Sequence, residues 1–218
     1  MKGMKETKGN ARSSVVVVVV TVLLTPAVVF GQSSGELVSL FDGTLDGWAI
    51  ENSEEGNFTV NNGILHVEGS QGWLRSDGRY SDFLLRAEFR FLTDDTDSGI
   101  YVRAVADAEF IRGWPGNSYQ VQVRNPIGES RFGPVGDLFR HQTPPGNLDF
   151  DPDLSGRTST GTGEWQTIEI EAVGATLTVR LNGTLLSRAD NIANPTGYIG
   201  IQSELGAIEF RTIEILER

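Results

Sequence analysis

The sequence predicts an all-β fold in which two antiparallel sheets pack face to face. Beyond residue 35, short runs alternate between apolar and polar residues, and Gly, Asn and Asp separate the runs. No stretch shows the 3.6-residue periodicity of an amphipathic helix of three or more turns. The chain has 218 residues and no cysteine, so a disulfide framework is excluded and stability must come from a packed core.

Two turns carry the strongest hairpin signals. "NFTVNNGILHVEG" places Asn62-Gly63 between two strand-like runs, and "TLTVRLNGTLLS" places Asn182-Gly183 likewise. Asn-Gly pairs tolerate the positive φ angles of tight two-residue turns, so each segment predicts a β-hairpin.

Alternation predicts the remaining strands. "DFLLRAEFRFL" places Phe83, Leu85, Ala87, Phe89 and Phe91 on one face, and "EWQTIEIEAV", "YIGIQSE" and "IEFRTIEIL" continue the pattern to the C-terminus. About a dozen such strands in one domain favour a jelly-roll sandwich of the lectin or glucanase kind.

The first 31 residues are typical of a signal peptide. A basic start, "MKGMKETKGNARSS", leads into the apolar run "VVVVVVTVLLTPAVVF", and Val29 and Gly31 allow cleavage before Gln32. We expect a secreted or periplasmic protein with no stable membrane insertion after cleavage. A retained anchor is the alternative, although the apolar run is short for a span of about 20 residues.

Charge and composition restrict the partners. The formal net charge is −11, and residues 1–31 are net basic, so the rest of the chain is still more acidic. Such a charge disfavours nucleic acid and anionic membranes and leaves neutral ligands such as sugars.

Several strands carry an unusual polar face, on which aromatic, amide and charged residues are mixed. Sugar sites use this mixture, because aromatic rings stack on C–H surfaces while amides, Arg and carboxylates bind hydroxyls. An ordinary solvated sheet face is the alternative. The residues concerned are Tyr101 and Arg103 in "DSGIYVRA", Gln120, Gln122 and Arg124 in "SYQVQVRN", and Tyr198, Gln202 and Glu204 in "YIGIQSE".

Three residues are acid–base candidates. Glu204 lies on the last of these strands next to an amide, Asp137 lies in the turn "VGDLF", and His141 is one of two histidines. Asp137 and His141 fall within the long Gly- and Pro-rich stretch from 125 to 163, which we expect to form loops at the rim of a site. His66 is interpreted as structural.

Two acidic runs, "DDTDSG" from Asp94 and "DFDPDLSG" from Asp149, resemble calcium loops in their spacing, but neither completes an EF-hand pattern. We expect no cofactor and interpret both runs as solvated turns, with a divalent metal as the open alternative. The G-x-S-x-G, H-E-x-x-H, P-loop and E-x-D-x-E patterns are absent.

The order of the motifs resembles the 3-keto-disaccharide hydrolase family. The matching pieces are "LFDGTLDGW", "DSGIYVR", "SYQVQV", "VGDLF", "GEWQTIEIEAVGATLTVRLNG" and "GYIGIQSELGAIEFRTIEI". The resemblance implies that residues 36–218 form a concanavalin- or laminarinase-like jelly roll. It also implies an enzyme that acts on 3-keto-glycosides by C2 proton abstraction, elimination and hydration.

Strand parity, loop position and the resemblance together make Glu204, Arg124 and His141 the catalytic candidates, with Glu204 or His141 as the base and Arg124 near the enolate oxygen. Substrate binding falls to Tyr101, Arg103, Gln120, Gln122, Asp137 and Gln202. The family usually has Glu where Gln120 stands, and this difference leaves two readings open. The protein is either an active enzyme with another base or a non-catalytic carbohydrate-binding module. A structural or adhesive sandwich is disfavoured, because it would not need aligned Arg, Gln and Glu.

Overall fold

The structure, a computed structural model, describes residues 35–111, 113–125, 133–140 and 147–218. Within them it contains fifteen strands and one short helix. The strands are β1 (Val38–Phe41), β2 (Trp48–Glu51), β3 (Phe58–Asn61), β4 (Ile64–Glu68), β5 (Gly72–Tyr80), β6 (Phe83–Phe91), β7 (Asp97–Ile111), β8 (Trp114–Arg124), β9 (Leu138–Arg140), β10 (Asn147–Phe150), β11 (Gln166–Val173), β12 (Thr176–Leu181), β13 (Thr184–Asp190), β14 (Gly197–Ser203) and β15 (Ala207–Glu217).

The strands form two antiparallel sheets. The nine-stranded sheet has the order β10-β13-β12-β11-β6-β15-β4-β3, and β1 also pairs with β15. The six-stranded sheet has the order β2-β5-β14-β7-β8-β9. This arrangement confirms the predicted β-sandwich.

Alternation along the strands builds the core between the sheets. Along β6 every second residue from Phe83 to Phe91 is buried, as the sequence pattern predicts. These side chains pack in one cluster with residues such as Ile100, Val121 and Ile201 from the six-stranded sheet. Because successive side chains on a strand point to opposite faces, the residues between them in β7, β8 and β14 point away from the core.

Both predicted hairpins are present. β3 and β4 pair from Asn61 with Ile64, and β12 and β13 pair from Leu181 with Thr184. Asn182 has a φ of 49° and Gly183 a φ of 81°, so both turn residues adopt the left-handed conformation that a tight turn needs.

The stretch predicted as long loops is partly structured. β9, β10 and helix α1 (Pro152–Thr158) lie within it, while residues 126–132 and 141–146 fall outside the described residues. Asp151 caps α1 by accepting a hydrogen bond from the Leu154 N–H at 3.0 Å, and Pro152 occupies the first turn. The acidic run from Asp149 to Gly156 is therefore the end of a strand and a capped helix.

The described residues belong to one compact unit. None of the helices in the described ranges is long and apolar enough to cross a membrane. The predicted signal peptide, residues 1–31, lies outside those ranges and stays a prediction.

Candidate functional site

The outer face of the six-stranded sheet carries a continuous chain of polar side chains. We call it the polar chain, and it runs through Arg124, Asp97, Gln122, Gln120, Gln202 and Glu204. Gln120 and Gln122 alternate on β8 with the core residues Val121 and Val123, which is why they face outward. β7 pairs Asp97 with Arg124 directly across the sheet.

One end of the polar chain is an ion pair. Arg124 Nε lies 3.4 Å from Asp97 Oδ2, and Gln122 Nε2 donates to Asp97 Oδ1 at 2.6 Å. Arg124 is 9% exposed and Asp97 8%, so both charges lie largely out of water. Attraction between such charges is stronger than at a wet surface.

The other end is a second carboxylate. Gln120 Nε2 donates to Gln122 Oε1 and to Gln202 Oε1, both at 2.8 Å. Gln202 Nε2 then donates to Glu204 Oε2 at 2.9 Å. Three buried amides therefore link the carboxylates of Asp97 and Glu204.

These end groups fix the direction of every amide. An ionised carboxylate only accepts hydrogen bonds, so Gln122 and Gln202 must turn their NH₂ groups to Asp97 and Glu204. Their oxygens then face Gln120, which must donate with both of its N–H hydrogens. A carboxylate at position 120 has no proton to give when ionised, so the amide is the residue that this network requires.

Two glycines make room on this face. A Cβ on Gly99 would lie 2.4 Å from Gln120 Nε2. The Gln120 side chain therefore occupies space that any larger residue at position 99 would fill. A Cβ on Gly200 would lie 2.5 Å from the ring of Trp73. The missing side chains let the amides and the aromatic rings approach the backbone closely.

An aromatic cluster borders the polar chain. Trp73 and Tyr101 meet edge to face with centroids 5.8 Å apart, and Trp114 packs against them. Trp114, at the tip of the β7–β8 hairpin, donates its indole N–H to the carbonyl of Ser203 at 3.3 Å. The hairpin tip therefore folds over the outer face. Among the described residues, no acceptor lies within hydrogen-bond distance of the buried Trp73 Nε1.

Burial changes the acidity of two groups at the site. Desolvation raises the pKa of Asp97 to about 6, opposed by the charge of Arg124 and the hydrogen bond from Gln122. Burial also raises the pKa of Tyr101, and the charges of Glu204 and Asp97 raise it further. Asp97 can therefore exchange a proton near neutral pH.

Five of the predicted site residues form the polar chain together with Asp97. They are Arg124, Gln120, Gln122, Gln202 and Glu204. Tyr101 lies beside them, because its strand position is paired with Gln120. The structure thus brings these side chains together, while their functional roles stay predictions.

Arg103 is not part of this group, contrary to the expectation that it shares the face of Tyr101. A bulge interrupts β7 between Val102 and Val105, and Arg103 has a left-handed φ of 48°. Its fully buried guanidinium donates to the carbonyls of Ser81, Gly174 and Asn194 and to Asp82 Oδ1. Arg103 therefore ties three loops together at an edge of the sandwich.

Asp137 contacts the polar chain through its backbone. Asp137 accepts hydrogen bonds from the backbone of Leu138 and Gly133, although burial still raises its pKa. Its carbonyl accepts from the Gln122 N–H at 2.8 Å, so the residue lies beside the site with its carboxylate turned back on its own turn. His141 lies outside the described residues.

Within the described residues, no group of three or more His, Cys, Asp or Glu side chains could hold a metal ion. In the run "DDTDSG", Asp97 pairs with Arg124 and Asp94 accepts from the hydroxyl of Thr162.

Sequence reasoning overlooked three members of the site. Asp97 appeared only within the candidate calcium loop, and Trp73 and Trp114 were not singled out. Asp97 was accessible from the sequence, because it lies two residues before Gly99 and four before Tyr101 and so shares their strand face. No local pattern links Trp114 with Trp73, since a hairpin tip folding over a sheet is a long-range event.

Solved structures show where else this fold occurs. A candidate glycosyl hydrolase from Parabacteroides distasonis is 18% identical, with a TM-score of 0.60 over 84% of this chain and 100% of that chain. The carbohydrate binding module CBM66 from Bacillus subtilis is 13% identical, with a TM-score of 0.55 over 78% and 96%. A β-glucanase from Bacillus licheniformis is 11% identical, with a TM-score of 0.53 over 86% and 100%. These likenesses confirm the predicted jelly roll.

No curated protein is significantly similar in sequence. Residues 36–216 match the family described as the 3-keto-alpha-glucoside-1,2-lyase-like domain. This match spans nearly the whole region in which the predicted motifs occur. The chain therefore belongs to the 3-keto-alpha-glucoside-1,2-lyase-like family.

Proposed function

We propose that the protein cleaves 3-keto-glycosides by elimination followed by hydration. The observation that carries the proposal is the polar chain, in which a buried Asp–Arg pair and a second carboxylate are held by three amides beside an aromatic cluster. Membership of the 3-keto-alpha-glucoside-1,2-lyase-like family supports the substrate class.

The chemistry needs few groups. A ketone at C3 acidifies the proton on C2, so a general base can remove it to form an enolate. The enolate then re-forms the C3 carbonyl, creates a C1–C2 double bond and expels the C1 substituent, which leaves as an alcohol after taking a proton. Water adds its oxygen to C1 and a proton to C2. The sum is hydrolysis without a covalent enzyme intermediate.

The polar chain offers groups for these steps. In this proposal Arg124 stabilises the enolate oxygen, because a guanidinium donates up to five hydrogen bonds and stays charged. Gln122 and Gln202 each use one N–H in the bonds described above, and the second can donate to a sugar hydroxyl. Trp73 and Tyr101 are fully buried, so they support the polar chain from inside the protein and do not stack on the sugar themselves.

A chromogenic substrate tests the proposal. Wild-type protein should release 4-nitrophenol from 4-nitrophenyl 3-keto-glucoside and not from the matched glucoside with a C3 hydroxyl. In D₂O, early product should carry deuterium at C2, beyond the exchange seen in an enzyme-free control. Release without C2 deuterium would contradict elimination, and release from both glucosides would contradict the role of the ketone.

A non-catalytic carbohydrate-binding module is the second candidate. Gln120 favours it, because an amide stands where the family usually has a carboxylate and cannot act as a base at neutral pH. Calorimetry with the same 3-keto-glucoside separates the two candidates. Saturable binding without nitrophenol release would support the module and contradict the enzyme.

A further inference from the structure

We propose that Asp97 is the general base of this site and replaces the carboxylate that the family usually carries at position 120. The assignment rests on the proposed function. It goes beyond it by naming the residue that takes the C2 proton, for which the sequence offered Glu204 or His141.

The position of Asp97 fits adjacent reaction centres. The proton to be removed is on C2, and the oxygen that becomes negative is on the neighbouring C3. A base and an oxyanion stabiliser must therefore stand side by side. Asp97 and Arg124 are direct cross-strand partners with Oδ2 and Nε 3.4 Å apart, whereas in the described part of the chain three amides stand between Glu204 and this pair.

The direction of the hydrogen bonds also favours Asp97 over position 120 as the base. Gln120 donates to Gln122 and Gln202, so its NH₂ group is committed to holding them and carries no lone pair for a proton. Gln122 in turn delivers its N–H to Asp97. The polar chain thus has no carboxylate at position 120, and the one beside Arg124 is Asp97.

The groups around Asp97 give it a pKa suited to a general base. Arg124 faces it from β8, Glu204 lies at the end of β14, and Tyr101 lies on its own strand. Burial outweighs the stabilising contacts, so the pKa of Asp97 is about 6. A base with this pKa is ionised at neutral pH and is still basic enough to accept a proton.

In the proposed step the Asp97 carboxylate takes the C2 proton and the C–H electron pair forms the enolate beside Arg124. The enolate expels the C1 substituent as an alkoxide, which takes the proton from the Asp97 carboxylic acid. Asp97 returns to its ionised form, ready for the hydration step.

Asp97→Asn and Glu204→Gln provide the matched test, since each exchanges a carboxylate for an amide of the same shape. With 4-nitrophenyl 3-keto-glucoside, wild-type kcat/KM should rise with pH to a plateau above about 6. Asp97→Asn should lower kcat by about 10²- to 10⁴-fold with little change in KM, and its kcat/KM should no longer rise with pH below about 6, the acid limb of the profile. Glu204→Gln should keep this acid limb.

Asp97→Glu controls for loss of activity through misfolding, because it retains the charge that pairs with Arg124. A carboxylate displaced by one methylene should lower kcat by about 10²-fold, keep the acid limb and raise the isotope effect of C2-deuterated substrate. Full kcat in either Asp97 variant, or loss of the limb in Glu204→Gln, would overturn the assignment. If wild-type protein releases no nitrophenol, the proposed function fails first.

Discussion

At the scale of single residues, Gln120 defines the site more than any other side chain. Its amide donates to two neighbouring amides, and those amides donate outward to Asp97 and Glu204. A buried network of this kind is stable when every member finds a partner of the right polarity. Gln120 and the two carboxylates therefore form one consistent set.

Gln120→Glu should destabilise the protein, although Glu is usual in the family at this position. The introduced carboxylate, when ionised, would face two amide oxygens, so its pKa should rise and the free energy of unfolding should fall by about 2–4 kcal/mol at pH 7. Since the neutral acid can donate once, the loss should shrink as the pH falls toward 4. Urea unfolding at several pH values measures this.

Gln71→Glu is the matched control, because Gln71 is exposed. It should change the free energy of unfolding by no more than about 0.5 kcal/mol. Equal stability of Gln120→Glu and wild type at pH 7 and pH 4 would contradict the direction assigned to the amides.

Arg103→Lys should reduce stability without altering the site. Lysine cannot reproduce the planar fork that joins Ser81, Gly174 and Asp82, so the free energy of unfolding should fall by about 2–4 kcal/mol. Arg188→Lys, at an exposed ion pair, is the control and should cost less than about 1 kcal/mol. A raised KM of folded Arg103→Lys, with unchanged stability, would restore Arg103 to substrate binding.

At the scale of elements, the β7–β8 hairpin assembles the site. β7 contributes Asp97, Gly99 and Tyr101 to the outer face, and β8 contributes Gln120 and Gln122. The tip of the same hairpin brings Trp114 back over Trp73. Most of the site is thus one hairpin, completed by Gln202 of β14, by Glu204 just after it and by Trp73 of β5.

Gly99→Ala should disrupt this arrangement. Its new methyl group would lie 2.4 Å from Gln120 Nε2, so the side chain must move and its two hydrogen bonds must lengthen or break. We expect unfolding to become easier by about 1–3 kcal/mol and nitrophenol release to fall. Thermal unfolding and the chromogenic assay report the two effects.

Gly156→Ala serves as its control. Gly156 lies in α1, and a Cβ there meets no atom within 4 Å. Alanine should stabilise this helix by about 0.5–1 kcal/mol. Identical effects of the two substitutions would show that the space above Gly99 does not hold Gln120.

At the scale of the whole molecule, the six-stranded sheet has an apolar inner face and an outer face that carries the polar chain. The core between the sheets is apolar, with Phe89, Val121 and Ile201 among its members, whereas the polar chain lies on the outer side of the six-stranded sheet. Burying Asp97 on that outer side opposes folding, because the unfolded chain hydrates the carboxylate fully. The site is therefore held in place by the stability of the rest of the fold.

The free energy of unfolding should depend on pH because of Asp97. Its folded pKa of about 6 lies above the ordinary value of 3.8, so the folded state binds the proton more tightly. The contribution of Asp97 to the free energy of unfolding should therefore fall by about 2 kcal/mol as the pH rises from 4 to 7. Subtracting the curve of Asp97→Asn from that of wild type isolates this contribution.

Asp149→Asn, at an exposed carboxylate on β10, is the matched control and should change the free energy of unfolding by no more than about 0.5 kcal/mol. A difference curve for Asp97→Asn that is flat between pH 4 and 7, or one that rises with pH, would show that Asp97 is not held in a desolvated environment.

Much of the fold was predictable because its signals are local. Strict alternation in β6 and the Asn-Gly turns depend on neighbouring residues, and the structure shows both. The polar row from Gln120 to Gln202 was found in the same way, since strand parity places side chains on a face. Arg103 was misplaced because a bulge breaks parity, and bulges depend on the partner strand.

By itself, the sequence determined the β-sandwich and the outward-facing amides, because alternation and turn chemistry act over a few residues, and the order of its motifs pointed to the family. Only the tertiary structure decided which polar residues meet. In the folded protein Asp97 pairs with Arg124, and Trp114 packs against Trp73. Arg103 binds loop carbonyls instead of joining the polar chain. The direction of the amides also needed the fold, because it is set by two carboxylates that are far apart in the chain and lie on one sheet face.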